Sequence, residues 1–263
     1  MDIAIAIPAR YGSKRFPGKP MAMIRGATLL HRVWLIARQV TGVSQVYVAT
    51  DDERVAEHAR GFGAAVIMTS PSCENGTVRV QQAMRSLAKP PEAVINFQGD
   101  AVLTPPWVLQ GLVGAFYADP ALQLVTPAVH LTWDELEELK RSKETTPFSG
   151  TLVVFDRAMN ALYFSKTIIP SLRARNQPQP PVYRHIGLYG YRLSALDRLA
   201  ALAPTPLEMA EQLEQLRALE NCIPIRVVLT DYHGRTHWSV DSPEDALKVA
   251  ELIDRDGELV PLP

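Results

Sequence analysis

A short cationic loop near the N-terminus is the first place where this sequence could do chemistry. Residues 3–7 (Ile-Ala-Ile-Ala-Ile) predict a buried strand that ends at Pro8. The loop that follows contains two glycines, a serine and four cations, which are Arg10, Lys14, Arg15 and Lys19. Backbone N–H groups of a glycine-containing loop can approach phosphate oxygens closely, and cations can offset the charge of a triphosphate.

The composition of this loop leaves its ligand open. It is not a Walker A loop, because no Gly-Lys-Ser/Thr follows its glycines, and it contains no GxGxxG turn. A phosphate site and a solvated basic loop are both compatible with these residues. The choice between them depends on the rest of the chain.

A second candidate for chemistry lies at the end of a later strand. Residues 93–97 predict a buried strand that leads directly into Gln98-Gly99-Asp100. In open parallel sheets, ligands collect outside the carboxyl ends of the strands, so Asp100 would lie opposite the phosphate loop. A carboxylate is a preferred ligand of Mg²⁺. We therefore interpret Asp100 as a metal ligand, although an aspartate in this position is more often a cap or turn residue.

The elements that must position these groups alternate along the chain. We predict strands at residues 45–50, 64–68, 122–129, 150–156, 161–165, 183–192 and 225–230, and helices at residues 29–41, 53–62, 105–117, 132–144, from 204 to 217 and after Ser242. Asp51 could face the ligand edge of the sheet, but we predict it as the N-cap of the helix over residues 53–62. Alternating strands and helices predict an α/β fold with a largely parallel sheet.

Length and composition exclude several classes of protein. A chain of 263 residues suits one large α/β domain or two small ones. The net charge is −1, so no global basic field points to nucleic acid or an anionic membrane as a partner. Cys73 and Cys222 are far apart in sequence and form no metal-type cluster. With no signal peptide and no apolar run near 18 residues, we expect a cytoplasmic protein that is not inserted in a membrane.

The string Ile-Pro-Ala-Arg-Tyr-Gly-Ser-Lys-Arg-Phe-Pro-Gly-Lys-Pro at residues 7–20 closely resembles the signature loop of the sugar-acid cytidylyltransferases. Within them, it is most similar to the 3-deoxy-manno-octulosonate (Kdo) cytidylyltransferases. The resemblance continues in the Gln-Gly-Asp at residues 98–100, in Arg-His-x-Gly-x-Tyr-Gly-Tyr-Arg at 184–192 and in Val-Asp-Ser-Pro-Glu-Asp at 240–245. The family motif Pro-x-x-Leu-Glu-x-x-Glu-x-Leu-Glu-Gln-Leu-Arg is complete at residues 204–217.

The resemblance implies a set of residues for CTP and its metal. The expected nucleotide-binding residues are Pro8, Ala9, Arg10, Gly12, Ser13, Lys14, Arg15, Lys19, Asn75, Gly76, Thr77, Arg79 and Gln98. The family's two metal-binding aspartates carry over to Asp100 and Asp241, with Mg²⁺ as the expected cofactor. Arg10 and Lys19 join these two aspartates as the expected catalytic residues.

A second set of residues is implied for the sugar acid. The expected sugar-binding residues are Gln98, Lys166, His185, Tyr189, Glu214 and Gln215. The spacing of Glu208, Glu211 and Gln215 places these three side chains on one face of a single predicted helix. The resemblance further implies that this helix packs in a homodimer interface. Outside the resemblance, the same pattern is that of an ordinary solvated helix.

Several positions depart from the family pattern. Val78 stands where an acid is usual, and Ala101-Val102 replaces the usual Glu-Pro after Gln-Gly-Asp. Lys166 replaces the usual arginine, which keeps the charge but loses the planar fork that matches a carboxylate. These departures favour an alternative in which the acceptor is 8-amino-Kdo or another ulosonic acid.

The fold implied is a Rossmann-like α/β sheet flanked by helices, with a smaller β-rich dimerisation insertion. We divide the single domain of residues 1–263 into a nucleotide-binding core, at about 1–130 and 225–263, and an insertion at about 131–224. The implied reaction couples CTP to the anomeric hydroxyl of a 2-keto-3-deoxy sugar acid, Kdo in the first instance, and releases pyrophosphate. A sialic-acid enzyme fits the first loop less well, and a non-catalytic nucleotide-sugar-binding homologue is the alternative from another class.

Overall fold

A mixed sheet of ten strands forms the centre of the computed structural model, which describes residues 1–13 and 15–262. The strands are β1 Ile3–Pro8, β2 Met23–Ile24, β3 Ala27–Thr28, β4 Gln45–Thr50, β5 Ala65–Met68, β6 Ala93–Asn96, β7 Leu124–His130, β8 Leu152–Phe155, β9 Ala161–Ser165, β10 Tyr183–His185, β11 Tyr189–Arg192 and β12 Ile225–Thr230. The helices are α1 Leu29–Arg38, α2 Glu53–Gly61, α3 Gly76–Arg85, α4 Pro106–Ala118, α5 Trp133–Thr145, α6 Leu193–Ala201, α7 Pro206–Glu211, α8 Gln215–Glu220 and α9 Pro243–Asp256. A short 3-10 helix spans Lys19–Met21.

The N-terminal half of the sheet is parallel. β1 lies between β4 and β6 and runs parallel to both, and β5 extends this half beyond β4. Ile3, Ile5 and Ile7 belong to the larger hydrophobic core, whereas Ala4 and Ala6 belong to the core on the other face. Because helices cover both faces of a parallel sheet, β1 is apolar at every position rather than alternating.

The C-terminal half of the sheet is mainly antiparallel. β11 pairs with β6 and β7, so a strand from late in the chain continues the parallel half without a gap. β12 runs parallel to β7 on its other side, while β10, β8 and β9 complete the outer edge. This arrangement confirms the predicted α/β class with a Rossmann-like core. Among the described residues, none of the helices combines the length and apolar character that crossing a membrane requires.

Three local predictions were wrong. Residues 183–192 form two strands, because Ile186–Leu188 shifts the chain from one pairing position on β7 to another. Residues 204–217 form two helices, because Gln212 adopts a left-handed conformation at φ 52° and ends α7. The N-cap of α2 is Asp52, which accepts a hydrogen bond from the Arg54 N–H.

Candidate active site

A cavity of about 510 Å³ opens at the carboxyl ends of β1 and β6. Of the residues predicted for CTP and metal, those lining this cavity are Pro8, Ala9, Arg10, Ser13, Arg15, Lys19, Asn75, Gly76, Arg79, Gln98, Asp100 and Asp241. Gly12 and Thr77 are not among its lining residues, and Lys14 lies outside the described residues. Segments that are far apart in sequence therefore meet at the edge of the sheet where ligands collect in α/β folds.

Local backbone geometry directs Lys19 into this cavity. The Gly18 N–H donates to the Tyr11 carbonyl oxygen at 2.9 Å, which closes the cationic loop. Gly18 has φ 72°, a left-handed value that suits glycine, and its Cα faces the Tyr11 ring. The 3-10 helix then begins at Lys19, with the buried Pro20 in its first turn. The Tyr11 ring in turn lies 3.5 Å from the Arg54 guanidinium carbon.

The Lys19 ammonium joins the two aspartates predicted as metal ligands. Its Nζ donates to Asp100 Oδ2 at 2.8 Å, to the Val240 carbonyl oxygen at 2.9 Å and to Asp241 Oδ1 at 3.4 Å. Arg15 also pairs with Asp241, at 3.0 Å. The Val240 N–H donates to the Asp100 carbonyl oxygen at 3.1 Å, which fixes the two aspartate-bearing segments against each other.

The start of α9 leaves the Asp241 carboxylate available for the cavity. Ser242 is the N-cap, and it forms a reciprocal capping box with Asp245. The Asp245 carboxylate also accepts from the Asp241 N–H at 2.9 Å. Because the backbone at Asp241 is satisfied by Asp245, the side chain of Asp241 is not needed for the helix cap.

The donor set around Lys19 suits a hard divalent cation. Asp100, Asp241 and the Val240 carbonyl present oxygen atoms, which are the ligands that Mg²⁺ prefers. Within the described part of the chain, no group of three or more His, Cys, Asp or Glu side chains could hold a metal. Two carboxylates with the remaining ligands from a substrate's phosphates is a common Mg²⁺ arrangement in nucleotide enzymes.

Two glycines allow the cavity walls to approach closely. A Cβ on Gly99 would lie 2.7 Å from the Pro8 carbonyl oxygen, so β1 and the Gln98–Asp100 segment meet as bare backbone. A Cβ on Gly76 would lie 3.1 Å from Gln98 Oε1. A hydrogen bond to the sheet orients the Gln98 amide, because its Nε2 donates to the buried Asn96 Oδ1 at 3.1 Å.

The turn before α3 is held by side-chain hydrogen bonds. Asn75 is the N-cap of α3, and its Oδ1 accepts from the Val78 N–H at 2.9 Å. Arg79 lines the cavity but is buried, and its guanidinium bonds Thr69 at 2.6 Å and pairs with Asp51 at 3.0 Å. Arg79 therefore ties the end of β4 to α3, and this pairing is the observed role of Asp51.

Glu214 links this turn to the segment predicted to bind the sugar acid. Asn75 Nδ2 donates to Glu214 Oε2 at 2.9 Å, and the Thr77 hydroxyl donates to Glu214 Oε1 at 2.5 Å. Burial raises the pKa of the Glu214 carboxyl, while the Thr77 hydrogen bond opposes this shift. Both carboxylate oxygens are thus engaged by the nucleotide-side turn.

Of the residues predicted for the sugar acid, Gln98 lines the cavity, whereas Lys166, His185, Tyr189, Glu214 and Gln215 are not among its lining residues. His185 and Gln215 are buried, whereas Lys166 and Tyr189 are half-buried. His185 packs edge-on to Phe164, with ring centroids 4.9 Å apart. The Glu211 carboxylate holds the Lys166 backbone by accepting from its N–H at 2.9 Å.

The family model for cytidylyltransferases matches residues 4–225. The chain belongs to the Kdo cytidylyltransferase family. It is 53% identical, over 99% of its own length and 100% of the relative, to the 3-deoxy-manno-octulosonate cytidylyltransferase of Maricaulis maris. The family and the nucleotidyltransferase class predicted from sequence are therefore confirmed.

Two further comparisons in this cytidylyltransferase family bear on ligand chemistry. A solved CMP:2-keto-3-deoxy-manno-octonic acid synthetase complexed with CTP superposes with a TM-score of 0.86 at 34% identity, covering 97% of this chain and 100% of the other. The 8-amino-3,8-dideoxy-manno-octulosonate cytidylyltransferase of Shewanella sediminis is 39% identical over 95% of this chain and 98% of its own. The family thus includes relatives named for two different acceptors.

Several residues at the site of this cytidylyltransferase were not predicted from its sequence. Pro20, Cys73, Glu74 and Gly99 also line the cavity. Gly99 could have been inferred, because a glycine between Gln98 and Asp100 suggests close backbone approach. The contact between Glu214 and the Asn75 turn joins residues 139 positions apart, and no local pattern predicts such a contact.

His185 is a neutral buried histidine in this enzyme. Its Nε2 lies 2.8 Å from the Thr126 hydroxyl oxygen, and that hydroxyl donates to the Leu188 carbonyl oxygen at 2.8 Å. We infer that His185 carries its proton on Nε2 and donates it to Thr126. Burial, followed by the charge on His237, lowers the pKa of His185 to about 3.

Replacement of His185 by glutamine is expected to flatten the pH dependence of stability below neutrality. Between pH 6.5 and about 3 the unfolded chain binds a proton that folded His185 does not, so the free energy of unfolding falls as pH falls. From pH 6.5 to 5 this loss is roughly 1.5 kcal/mol in the wild type and is absent in H185Q. Urea unfolding at several pH values measures it. The exposed His233→Gln is the control, and an equal slope in H185Q and wild type would contradict the assignment.

Proposed function

We propose that this protein transfers CMP from CTP to the anomeric hydroxyl of a 2-keto-3-deoxy sugar acid, with Kdo as the acceptor, and releases pyrophosphate. The observation that carries the proposal is the meeting of Lys19, Asp100 and Asp241 at the open edge of the sheet. A cation and two carboxylates at the end of a glycine-containing loop suit a metal-bound triphosphate. Membership of the Kdo cytidylyltransferase family supports the choice of CTP and Kdo.

Each charged residue predicted for the triphosphate and its metal has a proposed role. Arg10, Lys14, Arg15 and Lys19 offset the negative charge of the triphosphate, and Lys19 in addition stabilises charge that develops during transfer. Asp100 and Asp241 would hold Mg²⁺, which polarises phosphoryl oxygens and lowers the pKa of a bound hydroxyl. Catalysis would then rest on positioning and charge stabilisation, without a covalent enzyme intermediate.

The nucleoside and the acceptor are assigned to neighbouring parts of the site. Pro8, Ala9, Gly12, Ser13 and the turn Asn75, Gly76 and Thr77 would contact the nucleotide, with Arg79 holding that turn in place. Gln98 lines the cavity and would contact both substrates. Lys166, His185, Tyr189, Glu214 and Gln215 would surround the sugar acid.

The departures from the family pattern differ in their expected effect on the acceptor. Val102 is 3% exposed and packs in the larger hydrophobic core, so its side chain is not expected to reach a substrate. Ala101 and Lys166 are both half-buried; Ala101 follows the assigned Asp100, and Lys166 is itself assigned to the sugar acid. An enzyme for 8-amino-Kdo therefore remains the second candidate, favoured by these two positions and by the relative named for that acceptor.

Pyrophosphate release tests the function and the acceptor together. The protein is incubated with CTP, Mg²⁺ and, in separate reactions, Kdo, 8-amino-Kdo or sialic acid. We expect the highest kcat/KM with Kdo and loss of activity when the metal is chelated with EDTA. Turnover of 8-amino-Kdo alone would move the assignment to the second candidate. No pyrophosphate release with any of these acids would favour a non-catalytic nucleotide-sugar-binding protein.

Replacement of Glu214 by glutamine is expected to raise the KM for CTP by about 10-fold. A carboxylate accepts from both Asn75 and Thr77, whereas an amide offers one oxygen and turns an NH₂ group towards the other donor. The loss of one buried hydrogen bond of this kind costs about 1–2 kcal/mol. Initial rates with CTP and acceptor varied separately measure the effect. Glu251→Gln, at an exposed i,i+3 pair with Lys248, is the control, and unchanged KM values in E214Q would rule out this role.

We also propose that the enzyme is a cytoplasmic homodimer. Leu207 and Met209 of α7 and Leu162 of β9 are exposed apolar residues in the region assigned to the insertion, and burial of such residues favours association. Cys73 and Cys222 are both free thiols, as suits a reducing compartment. Light scattering of wild type and M209K tests the assembly, with a monomeric wild type as the contradicting result.

A further inference from the structure

Arg184 differs from the other half-buried or buried arginines in the described part of the chain. It lies on β10, where its backbone pairs with Val129 of β7 on one side and Leu152 of β8 on the other. Its Nε is buried and has no hydrogen-bond partner among the described residues. The others each contact a carboxylate or a carbonyl oxygen, and they are Arg32, Arg79, Arg192, Arg217, Arg226 and Arg235.

The surroundings of Arg184 are rich in positive charge. The charge on Arg184 lowers the pKa of both Lys143 and His237, and the charge on Lys166 also lowers that of Lys143. Burial is the larger cause of both shifts. The geometry agrees, because Lys143 Nζ donates to the Lys166 carbonyl oxygen at 2.6 Å and the strand register aligns Arg184 with Leu152 and then with Ser165, directly before Lys166. Because like charges repel and buried charge is costly, such a group calls for an anion.

The groups that could balance this charge from within the protein are already engaged. Glu211 is the carboxylate whose charge favours protonation of Lys143, but its oxygens accept from the Ser165 hydroxyl at 2.7 Å and from the Lys166 N–H at 2.9 Å. Lys143 itself donates to backbone carbonyl oxygens, including that of Gly150 at 3.1 Å and that of Lys166 at 2.6 Å. This leaves the Arg184 guanidinium to meet an anion from outside the protein.

The position of Arg184 points to the acceptor side of the site. Arg184 pairs with Leu152 of β8, which pairs in turn with Ser165 of β9, directly before Lys166, one of the residues assigned to the sugar acid. His237, on which its charge acts, is four residues before Asp241 in a segment that reaches the cavity. The carboxylate of a sugar acid is its only anionic group, and a planar guanidinium fork matches a carboxylate in two parallel hydrogen bonds.

We propose that Arg184 binds the carboxylate of the sugar-acid acceptor and thereby determines specificity for an acid over a neutral sugar. The proposal rests on the proposed function, since it presumes that the acceptor is a 2-keto-3-deoxy acid. Strand pairing on both sides of β10 fixes the backbone from which the guanidinium projects, so little ordering is needed when the carboxylate binds. Lys166 supports this contact as a point charge, which lacks the fork.

The test compares an acid with its uncharged analogue in two proteins. Pyrophosphate release is measured for wild type and R184Q with CTP, Mg²⁺ and either Kdo or its C1 carboxamide. In wild type we expect a large preference for the acid. In R184Q we expect the KM for Kdo to rise about 10- to 100-fold, the KM for CTP to stay unchanged and the acid-over-amide preference to fall by the same factor. R184K should recover part of the preference.

A structural role would give a different pattern. Since Arg184 Nε has no partner to lose within the described residues, R184Q should unfold at the same temperature as wild type or higher. R226Q, on β12 with its pair to Asp119, is the matched control and should keep the acid-over-amide preference. A retained preference in R184Q, or a rise only in the KM for CTP, would overturn the proposal. Failure of the proposed function would instead appear in wild type, as no turnover of any sugar acid.

Discussion

Replacement of Asp100 by asparagine is expected to lower kcat by about 10³-fold at saturating CTP and acceptor, because it removes a negative charge from the proposed metal-binding oxygens. Asparagine has the shape of aspartate, and its Oδ1 can still accept from Lys19 Nζ, which lies 2.8 Å from the Asp100 carboxylate. The fold should therefore survive the change. Pyrophosphate release measured over a range of Mg²⁺ concentrations should also show a raised requirement for metal in D100N.

Two comparisons sharpen the Asp100 prediction. Asp254→Asn, at an exposed carboxylate of α9 that pairs with Arg25, should leave kcat unchanged. Asp241→Asn should resemble D100N, and the double variant should lose much less than the product of the two single losses, because two ligands of one ion act as a unit. Additive losses would mean that the two aspartates act independently and not as ligands of one ion. Full activity of D100N at ordinary Mg²⁺ concentrations would remove Asp100 from the metal site.

The parts of the site that follow directly from sequence are those set by short segments. β1 is apolar at every position because the parallel sheet buries both of its faces, and this pattern is visible without a structure. The Gly99 approach to Pro8 follows from a glycine placed between two site residues. Loop and strand-end motifs carry enough local chemistry to predict that Lys19 and Asp100 lie near one another.

Other features depend on contacts that no local pattern encodes. The helix predicted over residues 204–217 breaks at Gln212, although its spacing of Glu208, Glu211 and Gln215 fits one helical face. The break places Glu211 against the Lys166 backbone and Glu214 against the Asn75 turn, and these hydrogen bonds replace the continuous helix. Tertiary hydrogen bonding thus outweighed helical propensity, which is a weak term over so short a segment.

A distant partner also decides which of Asp51 and Asp52 caps α2. Adjacent aspartates after β4 are equivalent candidates for the cap of α2 by sequence, since both precede the helix. In the fold, Arg79 approaches from α3 and pairs with Asp51 at 3.0 Å, so Asp52 provides the cap. The deciding partner lies 28 residues away, beyond the reach of a helix-start pattern.

Replacement of Lys19 by alanine is expected to lower kcat by about 10²-fold, because it removes a cation aimed at the point where charge develops during phosphoryl transfer. Lys19 is held for this role by three oxygens, and its side chain is only 15% exposed. K19M retains the length of the side chain without the charge. If Lys19 only filled space, K19M would therefore be as active as the wild type. We expect K19M to be as impaired as K19A and K19R to recover activity in part.

The balance between binding and catalysis decides which role Lys19 has. If Lys19 stabilises the transition state more than bound CTP, kcat should fall while the KM for CTP changes little. Arg15 offers a contrast. Its side chain is exposed and pairs with Asp241 at 3.0 Å, so we expect R15A to raise the KM for CTP and to keep most of kcat. Lys140→Ala, at an exposed pair with Glu137, is the control for loss of a surface lysine. Unchanged kcat in both K19A and K19M would exclude Lys19 from the mechanism.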